Sequence, residues 1–399
     1  MQKIKDLSDA EVLPGGYRHI LNCRVCGSPK LSEILDLGNQ YVVDFPKEPN
    51  PALPRAPLML IRCEVCGLLQ LSVSVDPNLL WRGDYWYRSS INESMRKALT
   101  DVVNHGFKYQ AEGTWIDIGA NDGFLLSKVP LTFKRIGVEP SRKLVPLLEE
   151  HADRVVNNFF NAEDLEPANV ITSCACFYDV NDPARFIRDV ASLLVDDGIW
   201  INQLSHAEAM LRQNAWDSIC HEHAAYYSLR DLQRLYNENG MRIIECWENE
   251  VNGGSIRILA KKGKSITIYP EIARSEIEAF AVRARKWREE MRWLVDSIHG
   301  SGRTIWGLGA STKGCCLLQY LDRNKAITAI GDRNPLKNGL RMVGSWLPIV
   351  DEETCRDARP DYLLALPWSF KTELLERERE TLARGSRMLM PLPNIEVCL

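Results

Sequence analysis

The sequence predicts an α/β protein with more than one domain, and three observations lead to that prediction. The chain has 399 residues, and at roughly 150 residues per domain this length accommodates two or three domains. Two copies of a Cys-x-x-Cys-Gly unit lie within the first 67 residues. Two later segments, starting at Thr114 and Arg303, each have the pattern of a strand, a glycine turn and a helix.

Composition and charge exclude several classes of protein. Apolar residues make up 45% of the chain and charged residues 26%, which is the balance of a globular protein and not of a disordered, fibrous or membrane chain. The chain has 49 Lys and Arg and 53 Asp and Glu, so its net charge is −4. It therefore has no excess of basic residues to neutralise the phosphate backbone of a nucleic acid. The sequence contains no apolar run of about 18 residues, and its polar start lacks the apolar segment of a secretion signal. We therefore expect a cytoplasmic protein that binds neither nucleic acid nor a membrane.

The first structural element is a predicted zinc site. Cys23 and Cys26 form one Cys-x-x-Cys-Gly unit and Cys63 and Cys66 form the other, whereas the remaining cysteines share no such pattern. Each unit directs two thiolates at one point, and its glycine can adopt the positive φ that turns backbone N–H groups toward the sulfurs. Redox thiols and ordinary buried cysteines are the alternatives, but repetition of the whole unit favours zinc. Because four thiolates leave no open coordination position, the zinc is predicted to be structural.

The second element is a glycine turn in the middle of the chain. The apolar run 114–118 leads into the turn 119–123, and the spacing of Phe124 and the two leucines after it predicts a helix there. A second strand ends in Glu139, twenty residues after Gly119, where a doubly wound sheet places the carboxylate that binds ribose hydroxyls. These features predict an adenosine-type cofactor, although a glycine turn and a downstream acid can arise in any α/β domain. The Gly-x-x-x-Gly spacing favours a ligand without a pyrophosphate.

The segments that follow extend the same domain. They are a strand at 169–176, a helix at 184–194, an Asp-Asp-Gly turn at 196–198 and a strand at 199–202. This order of strands and helices resembles that of a class I S-adenosylmethionine-dependent methyltransferase.

The densest group of titratable side chains lies at 220–228. Here His221, Glu222 and His223 follow one another; neutral imidazole can accept a proton near pH 7, and an adjacent carboxylate can orient it. Such a base is what a carbon nucleophile needs. A structural histidine pair or a second metal site are the alternatives, but two histidines two residues apart face together only on a strand, and no fourth ligand is evident. Upstream, the aromatic and hydroxyl residues of 84–90 predict a lid, a stacking wall or a domain junction.

The C-terminal part has a second strand–loop–helix pattern. A charged amphipathic helix at 275–294 connects to it. A strand at 303–306, a glycine loop at 307–314 and a helix at 315–321 follow, and then a strand at 327–331. The loop is not a P-loop, because Cys315 stands where that motif requires lysine. Its small residues and one lysine suit an anionic phosphate, and a tight turn with a solvated lysine is the alternative.

Taken together, these motifs resemble the sugar C-methyltransferases of branched-chain deoxysugar biosynthesis. The motifs that carry the resemblance are the two Cys-x-x-Cys-Gly units with Leu37-Gly38-Asn-Gln40 between them, Tyr85-x-Tyr87-x-Ser89-Ser90, Gly119-Ala-Asn-Asp-Gly123, Gly137-Val-Glu-Pro-Ser141, His221-Glu-His223, Asn252-Gly-Gly-Ser255 and Gly307-x-Gly-Ala-Ser-x-Lys-Gly314. The resemblance implies a zinc-binding domain at 1–82, a class I methyltransferase Rossmann-like domain that binds S-adenosylmethionine at 83–264, and a Rossmann-like domain that binds a nucleotide-diphosphate sugar at 265–399. The implied reaction is methylation at C3 of a nucleotide-linked 4-keto-6-deoxyhexose through an enolate.

The resemblance also implies roles for individual residues. His223 is the implied base, Glu222 orients it, and His221 or a tyrosine such as Tyr87 lies near the enolate oxygen. The implied cofactor-binding residues are Gly119, Asn121, Asp122, Gly123, Glu139, Pro140 and Ser141. The implied substrate-binding residues are Tyr85, Tyr226, Tyr227, Asn252, Ser311 and Lys313.

The chain departs from the family pattern in two places. Cys220 stands where better-known members have tyrosine, and the segment 173–179 replaces an Asn-Val-x-Ala-His run. Both departures lie near the expected cofactor and sugar, so they concern the substrate more than the reaction class. An O- or N-methyltransferase of a small molecule is a second interpretation. A zinc-ribbon nucleic-acid module carrying a methyltransferase is a third, disfavoured by the negative net charge and the lack of a basic cluster beside Cys63. The nucleotide carrier, thymidine or guanosine diphosphate, and the oligomeric state, a monomer included, stay open.

Overall fold

The computed structural model describes Leu13 and residues 15–82, 87–265, 267 and 269–399. Its larger sheets are a four-stranded sheet, a seven-stranded sheet and a six-stranded sheet, accompanied by one two-stranded ribbon. The four-stranded sheet belongs mainly to the cysteine-rich segment. The seven-stranded sheet contains the first glycine-turn segment, and the six-stranded sheet contains the second. This arrangement confirms the predicted α/β fold class with its cysteine-rich N-terminal part.

The N-terminal part is built from antiparallel strands. Its elements are β1 (Tyr17–His19), β2 (Leu31–Tyr41), β3 (Arg55–Cys63), β4 (Leu69–Leu71), β5 (Val73–Val75) and α1 (Pro77–Trp81). Strands β1 and β5 form the ribbon. The four-stranded sheet has the order β11-β4-β3-β2, and its edge strand β11 (Ala225–Tyr226) comes from the segment that follows His-Glu-His. The N-terminal sheet therefore holds the candidate catalytic segment directly.

The central sheet is doubly wound. Its helices are α2 (Glu93–Phe107), α3 (Val145–Glu149), α4 (Pro183–Leu193), α5 (Ala207–Arg212) and α6 (Leu229–Glu238). Its strands are β6 (Gly113–Ile118), β7 (Phe133–Val138), β8 (Arg154–Val156), β9 (Ala168–Cys174), β10 (Leu194–Ser205), β12 (Met241–Asn249) and β13 (Ser255–Lys262). The order is β12-β13-β10-β9-β6-β7-β8, in which β6 to β10 are parallel and the hairpin β12–β13 is antiparallel. The carboxyl ends of β6, β7 and β9 thus meet at one edge, where doubly wound sheets bind ligands.

The C-terminal sheet repeats this topology after a long connecting helix. Its helices are α7 (Arg274–Gly300), α8 (Thr312–Leu321), α9 (Glu352–Asp357), α10 (Lys371–Arg377) and α11 (Arg379–Ala383). Its strands are β14 (Ile305–Leu308), β15 (Ile330–Asp332), β16 (Ile349–Asp351), β17 (Tyr362–Ala365), β18 (Arg387–Met390) and β19 (Glu396–Cys398). Their order is β16-β15-β14-β17-β18-β19, with all pairs parallel except β18 with β19.

Most predicted helices are confirmed, and their sequences show why they form. Helix α2 begins at Asn92, whose side chain accepts a hydrogen bond from the Ser94 backbone N–H and so caps the first turn. Helix α4 begins with Pro183 behind the capping carboxylate of Asp182. Helix α7 is longer than the predicted 275–294 and buries a stripe at helical spacing that includes Phe280, Trp287 and Met291.

Two local predictions are wrong. After the turn 119–123 the chain forms only a short 3₁₀ helix (Leu126–Lys128) and not the predicted α-helix, because Pro130 follows within one turn and cannot continue a helix. The Asp-Asp-Gly segment 196–198 is not a turn before a strand: it lies inside β10, where the pairing with β9 shifts register between Leu194 and Ile199.

The cores lie between these sheets and their helices. A cluster that includes Trp216, Trp287 and Leu317 joins the C-terminal sheet, α7 and part of the N-terminal sheet, and a second cluster that includes Cys63, Phe177 and Trp200 joins the zinc-site region to the central sheet. Continuous apolar packing across the three parts fixes the candidate site between them. None of the described helices has both the length and the hydropathy that crossing a membrane requires.

Candidate active site

The four predicted zinc ligands come together. The Sγ atoms of Cys23, Cys26, Cys63 and Cys66 all lie within 4.8 Å of one another. The Cys23–Cys66 and Cys26–Cys63 sulfur pairs are each 3.5 Å apart, and a tetrahedron with zinc–sulfur bonds of about 2.3 Å has edges of about 3.8 Å. The glycines that follow each pair have φ of 71° and 88°, which lets the N–H groups of Val25 and Cys26 approach the Cys23 sulfur. The donor set therefore fits a structural zinc ion.

The central glycine turn lies at the carboxyl edge of the parallel strands. Gly119 and Gly123 have φ of 71° and 79°, and a Cβ at Gly119 would lie 3.1 Å from the Cys176 Cβ, so only glycine fits there without displacement. The buried Glu139 carboxylate accepts hydrogen bonds from the N–H groups of Asn121 at 2.9 Å and Ser141 at 2.8 Å. Burial raises the pKa of Glu139 above its usual range.

The residues around Glu139 satisfy the requirements of an adenosyl ligand. Each oxygen of Glu139 has accepted one backbone hydrogen bond, and a carboxylate oxygen can accept a second from a ribose hydroxyl. The Ser141 hydroxyl is buried without a hydrogen-bond partner among the described residues, so it has a donor to offer a ligand. Pro140 contributes only its carbonyl, which lies 3.3 Å from the Asn157 amide nitrogen.

The side chains of Asn121 and Asp122 bind the segment that precedes α2. The Asn121 side chain accepts from the Ser89 N–H at 2.9 Å and donates to the Tyr87 carbonyl at 3.2 Å. The Asp122 carboxylate accepts from the Ser89 hydroxyl at 2.8 Å and from the Ser90 N–H at 3.1 Å. These two side chains hold the segment 87–91 against the cofactor turn. The predicted residue Tyr85 lies outside the described residues.

The candidate substrate site is a cavity of about 720 Å³ between the three parts of the molecule. The connection between β2 and β3 contributes Phe45 and Leu53 to its wall, the central part contributes Tyr178 and His223, and the C-terminal part contributes Lys313. A cavity of this size holds a ligand of several hundred daltons.

His223 has the geometry of a base. Its Nδ1 lies 2.9 Å from the Ser218 carbonyl; because a carbonyl can only accept, Nδ1 carries the proton and Nε2 is the basic nitrogen. Burial and, after it, the nearby Lys313 ammonium lower the pKa of His223 to about 3, so the imidazole is neutral across the physiological range. The side chain lines the cavity.

Glu222 lies in the cavity wall without orienting His223. Glu222 was predicted to orient His223, but the Ser218 carbonyl is the hydrogen-bond partner of His223 Nδ1. The Thr312 hydroxyl lies 3.4 Å from the Glu222 carboxylate, which ties that carboxylate to the C-terminal glycine loop. Burial raises the pKa of Glu222 to about 7, so this group can change charge near neutral pH.

His221 points away from the cavity. Its Nε2 donates to the Ala56 carbonyl on β3 at 3.1 Å, and burial lowers its pKa to about 4. Residues 221–222 form a turn that separates the two rings, so His221 is not placed to serve the enolate oxygen as the resemblance implied.

The predicted tyrosines occupy different surroundings. Tyr87 is 42% exposed and lines the cavity. Tyr226 packs edge-on to the His223 ring, with its hydroxyl 3.4 Å from the Ser218 carbonyl. Tyr227 is fully buried and stacks on Phe177, with ring centroids 5.3 Å apart. The structure therefore brings Tyr87 to the cavity wall and places Tyr226 and Tyr227 behind it.

The predicted substrate-binding residues of the C-terminal part also line the cavity. The Lys313 ammonium donates to the Asn252 carbonyl at 3.1 Å, and both residues line the cavity. Ser311 also lines the cavity, while its hydroxyl caps α8 by accepting from the Gly314 N–H. The sequence analysis missed Lys337, a buried lysine whose ammonium lies 4.5 Å from the Phe45 ring centroid. Its position in the short segment that follows the end of β15 was the signal that could have found it.

Sequence comparisons cover these same three parts. Residues 23–81 match a family described as "Putative zinc binding domain", residues 91–246 match "Methyltransferase domain", and residues 250–393 match "C-methyltransferase C-terminal domain". The fold and the site thus define an S-adenosylmethionine-dependent methyltransferase with a zinc-binding N-terminal domain.

One curated relative aligns with nearly the whole chain. The chain is 28% identical to the C-methyltransferase NovU of Streptomyces niveus over 95% of this chain and 97% of that protein. Among solved structures, an S-adenosylmethionine-dependent methyltransferase from Clostridium acetobutylicum matches 42% of this chain and 92% of its own with a TM-score of 0.35 and 13% identity. The mitomycin 7-O-methyltransferase MmcR matches 44% of this chain and 56% of its own with a TM-score of 0.36 and 16% identity.

Proposed function

We propose that this methyltransferase transfers a methyl group to C3 of a nucleotide-linked 4-keto-6-deoxyhexose. The observation that carries the proposal is the tautomer of His223: its Nδ1 proton is held by the Ser218 carbonyl, so a basic Nε2 is available in the wall of the cavity. A 4-keto group acidifies the C–H bond at C3, and a neutral imidazole is suited to remove that proton. S-adenosylmethionine, when bound, supplies the electrophilic methyl group.

The charge on Lys313 couples substrate binding to the strength of this base. Lys313 contributes to the low pKa of His223, so an anionic diphosphate that pairs with its ammonium would offset that effect and raise the pKa of the imidazole. A correctly bound nucleotide sugar would therefore strengthen the base that attacks it. The free protein keeps His223 neutral but weakly basic.

The C-terminal wall of the cavity has the chemistry of a nucleotide-binding surface. Lys313, Lys337 and Arg333 all line it and supply positive charge to a diphosphate. The strand order reverses between β14 and β17, and residues that follow both strands line the cavity; a doubly wound sheet binds its ligand at such a crevice. The half-buried Asp332 carboxylate accepts from the N–H groups of Ala310 at 2.6 Å and Asn334 at 2.7 Å, which repeats the arrangement of Glu139 in the central part.

The distinguishing experiment is hydrogen exchange at the sugar carbon. Protein is incubated in D₂O with thymidine- and guanosine-diphosphate 4-keto-6-deoxyhexoses, first without and then with S-adenosylmethionine. We expect deuterium at C3 in the first case and a product heavier by one methyl group in the second. Methylation without any exchange at C3 would contradict the proposal and favour an O- or N-methyltransferase.

The matched variants are His223→Asn and His299→Asn. His299 is exposed near the end of α7, far from the cavity wall. We expect His223→Asn to lower exchange and methylation by about 10²- to 10⁴-fold, the usual contribution of a general base, while cofactor affinity measured by calorimetry is unchanged. His299→Asn should behave as the wild type. Near-normal exchange in His223→Asn would show that another group is the base.

A further inference from the structure

Tyr178 lies in the segment where the sequence departs from its relatives, and nothing in its sequence pattern marked it as functional. It follows β9 in a short 3₁₀ helix, Phe177–Asp179. Ala175, with φ of 58°, turns the chain at the carboxyl edge of the sheet, and its N–H donates to the Gln203 carbonyl at 2.8 Å. The backbone that carries Tyr178 is therefore anchored to the end of β10.

The residue before it fixes the direction of the Tyr178 side chain. Phe177 is fully buried, stacks on Tyr227 and packs edge-on against Trp200 and Phe186. This aromatic group holds Phe177 on the core side, and Tyr178 lines the cavity. A ring anchored in this way keeps its position when a ligand binds.

Tyr178 and His223 form a pair at the cavity wall. Their ring centroids are 4.2 Å apart at an interplanar angle of 56°, and both residues line the cavity. The Tyr178 side chain is only 7% exposed, and no hydrogen bond joins its hydroxyl to another group in the described part of the chain. Because the hydroxyl makes no such bond and Tyr178 lines the cavity, its proton is available to a ligand.

We infer that Tyr178 is a catalytic residue whose hydroxyl donates a hydrogen bond to the substrate carbonyl oxygen while His223 Nε2 removes the neighbouring proton. The inference rests on the proposed function. The oxygen and the α-carbon of an enolate are only about 2.4 Å apart by bond geometry, so a donor and a base in contact can serve both atoms. Burial raises the pKa of Tyr178 well above its usual range, which keeps the phenol protonated and able to donate.

The electron movements balance with these two groups alone. The C–H pair becomes the carbon–carbon double bond, the carbonyl π pair moves to oxygen, and the proton goes to His223 Nε2. The negative charge that develops on oxygen is stabilised by the Tyr178 hydroxyl. In the methyl transfer the pair on oxygen would re-form the carbonyl, the pair of the carbon–carbon double bond would form the bond to the methyl carbon, and the pair of the broken sulfur–methyl bond would stay on sulfur. The proton on His223 Nε2 then leaves to solvent, and Tyr178 ends the cycle unchanged.

Other candidate donors near the carbonyl are less suited. Cys220 is fully buried and its thiol is a weak donor. The Lys313 ammonium donates to the Asn252 carbonyl and is proposed to pair with the diphosphate. Tyr226 has its hydroxyl near the Ser218 carbonyl. Among these groups, Tyr178 is the one whose ring contacts His223 and whose hydroxyl proton is unused in the described part of the chain.

The test compares Tyr178→Phe with the control Tyr320→Phe. Tyr320 is also buried, lies on α8 outside the cavity wall and packs against Trp216. Wild type and variants are incubated in D₂O with 4-keto-6-deoxyhexose nucleotides without cofactor, and C3 deuteration is followed by mass spectrometry. We expect Tyr178→Phe to slow exchange and methylation by about 10²- to 10³-fold, as loss of one oxyanion donor does, with unchanged cofactor affinity. Tyr320→Phe should remain within about twofold of wild type on both rates, since it removes no group from the cavity.

Each outcome separates this inference from the proposed function. Near-wild-type exchange by Tyr178→Phe, in a protein whose wild type exchanges C3, would overturn the role of Tyr178 and leave the proposed function intact. A wild type that neither exchanges nor methylates these sugars would overturn both. If Tyr178→Phe does not fold, 3-fluorotyrosine at position 178 preserves the ring shape and makes the phenol more acidic. A changed exchange rate in that protein supports the inference, and an unchanged rate overturns it.

Discussion

Replacing Glu222 with glutamine should make the stability of the protein less dependent on pH, and the direction follows from the burial of this carboxyl group. Burial raises its pKa from 4.5 to about 7 in the folded protein. Below pH 4.5 the folded and the unfolded chain both hold the proton, so Glu222 contributes no pH dependence. Between pH 4.5 and 7 only the folded state holds it, so the free energy of unfolding falls by about 1.4 kcal/mol for each pH unit.

The size of the effect follows from that interval. Two and a half pH units at about 1.4 kcal/mol each give a loss of roughly 3 kcal/mol, fully present above pH 7. Glutamine has a similar shape and no charge, so Glu222→Gln removes this loss. We therefore expect the variant to gain on wild type as the pH rises from 5 to 8. His223 and His221, whose lowered pKa values act in the opposite direction at acid pH, are present in both proteins and cancel in the difference.

The assay is urea denaturation of the zinc-loaded protein at pH 5, 6, 7 and 8, followed by tryptophan fluorescence. The quantity of interest is the difference in unfolding free energy between variant and wild type at each pH. Glu150→Gln, at an exposed position, is the matched control and should change stability by less than about 0.5 kcal/mol. A difference for Glu222→Gln that stays constant across this range would refute the reasoning, because it would mean that Glu222 ionises in the folded protein as it does in the unfolded chain.

Two further predictions concern the metal and the cofactor turn. Cys63→Ser should lose bound zinc, measured by elemental analysis, and melt at a lower temperature, because the metal site contributes folding energy. The control Cys398→Ser, in the last strand, should keep one zinc per chain. A full zinc content in Cys63→Ser would contradict the assignment of the zinc ligands. Gly119→Ala should lower the free energy of unfolding more than Gly302→Ala. Both glycines have positive φ, which costs either alanine about 1–2 kcal/mol, but an added Cβ lies 3.1 Å from Cys176 only at Gly119. Equal losses of stability in urea denaturation would refute the predicted steric conflict.

The sequence predicted those parts of the site that local spacing encodes. The cysteine pairs, the glycine turn at 119–123 and the acid at Glu139 each depend on a few neighbouring residues, and the structure brings them together as expected. Local spacing gave the wrong prediction for the segment after the turn. Phe124 and the two leucines after it have helical spacing, but Pro130 ends the helix after one short turn. Tyr178 escaped notice because its contact with His223 joins two distant segments.

The two histidines of the His-Glu-His motif have different roles because their tertiary contacts differ. The sequence does not distinguish them. In the structure, His221 donates a hydrogen bond to the Ala56 carbonyl on β3, and a hydrogen bond to the Ser218 carbonyl orients His223 toward the cavity. The pairing of β11 with β4 then fixes the end of the same segment in the N-terminal sheet. On its other side, Glu222 meets Thr312 of the C-terminal loop.

The candidate base therefore depends on all three parts of the molecule. The central sheet alone supplies the cofactor turn, but the segment that carries His223 is held by hydrogen bonds and strand pairing to the N-terminal sheet and faces a wall built by the C-terminal part. Loss of zinc would loosen the sheet that anchors this segment before it affected Glu139 or Gly119. A zinc ion with no open coordination position thus contributes to the proposed chemistry through the position of His223, by keeping the N-terminal sheet folded.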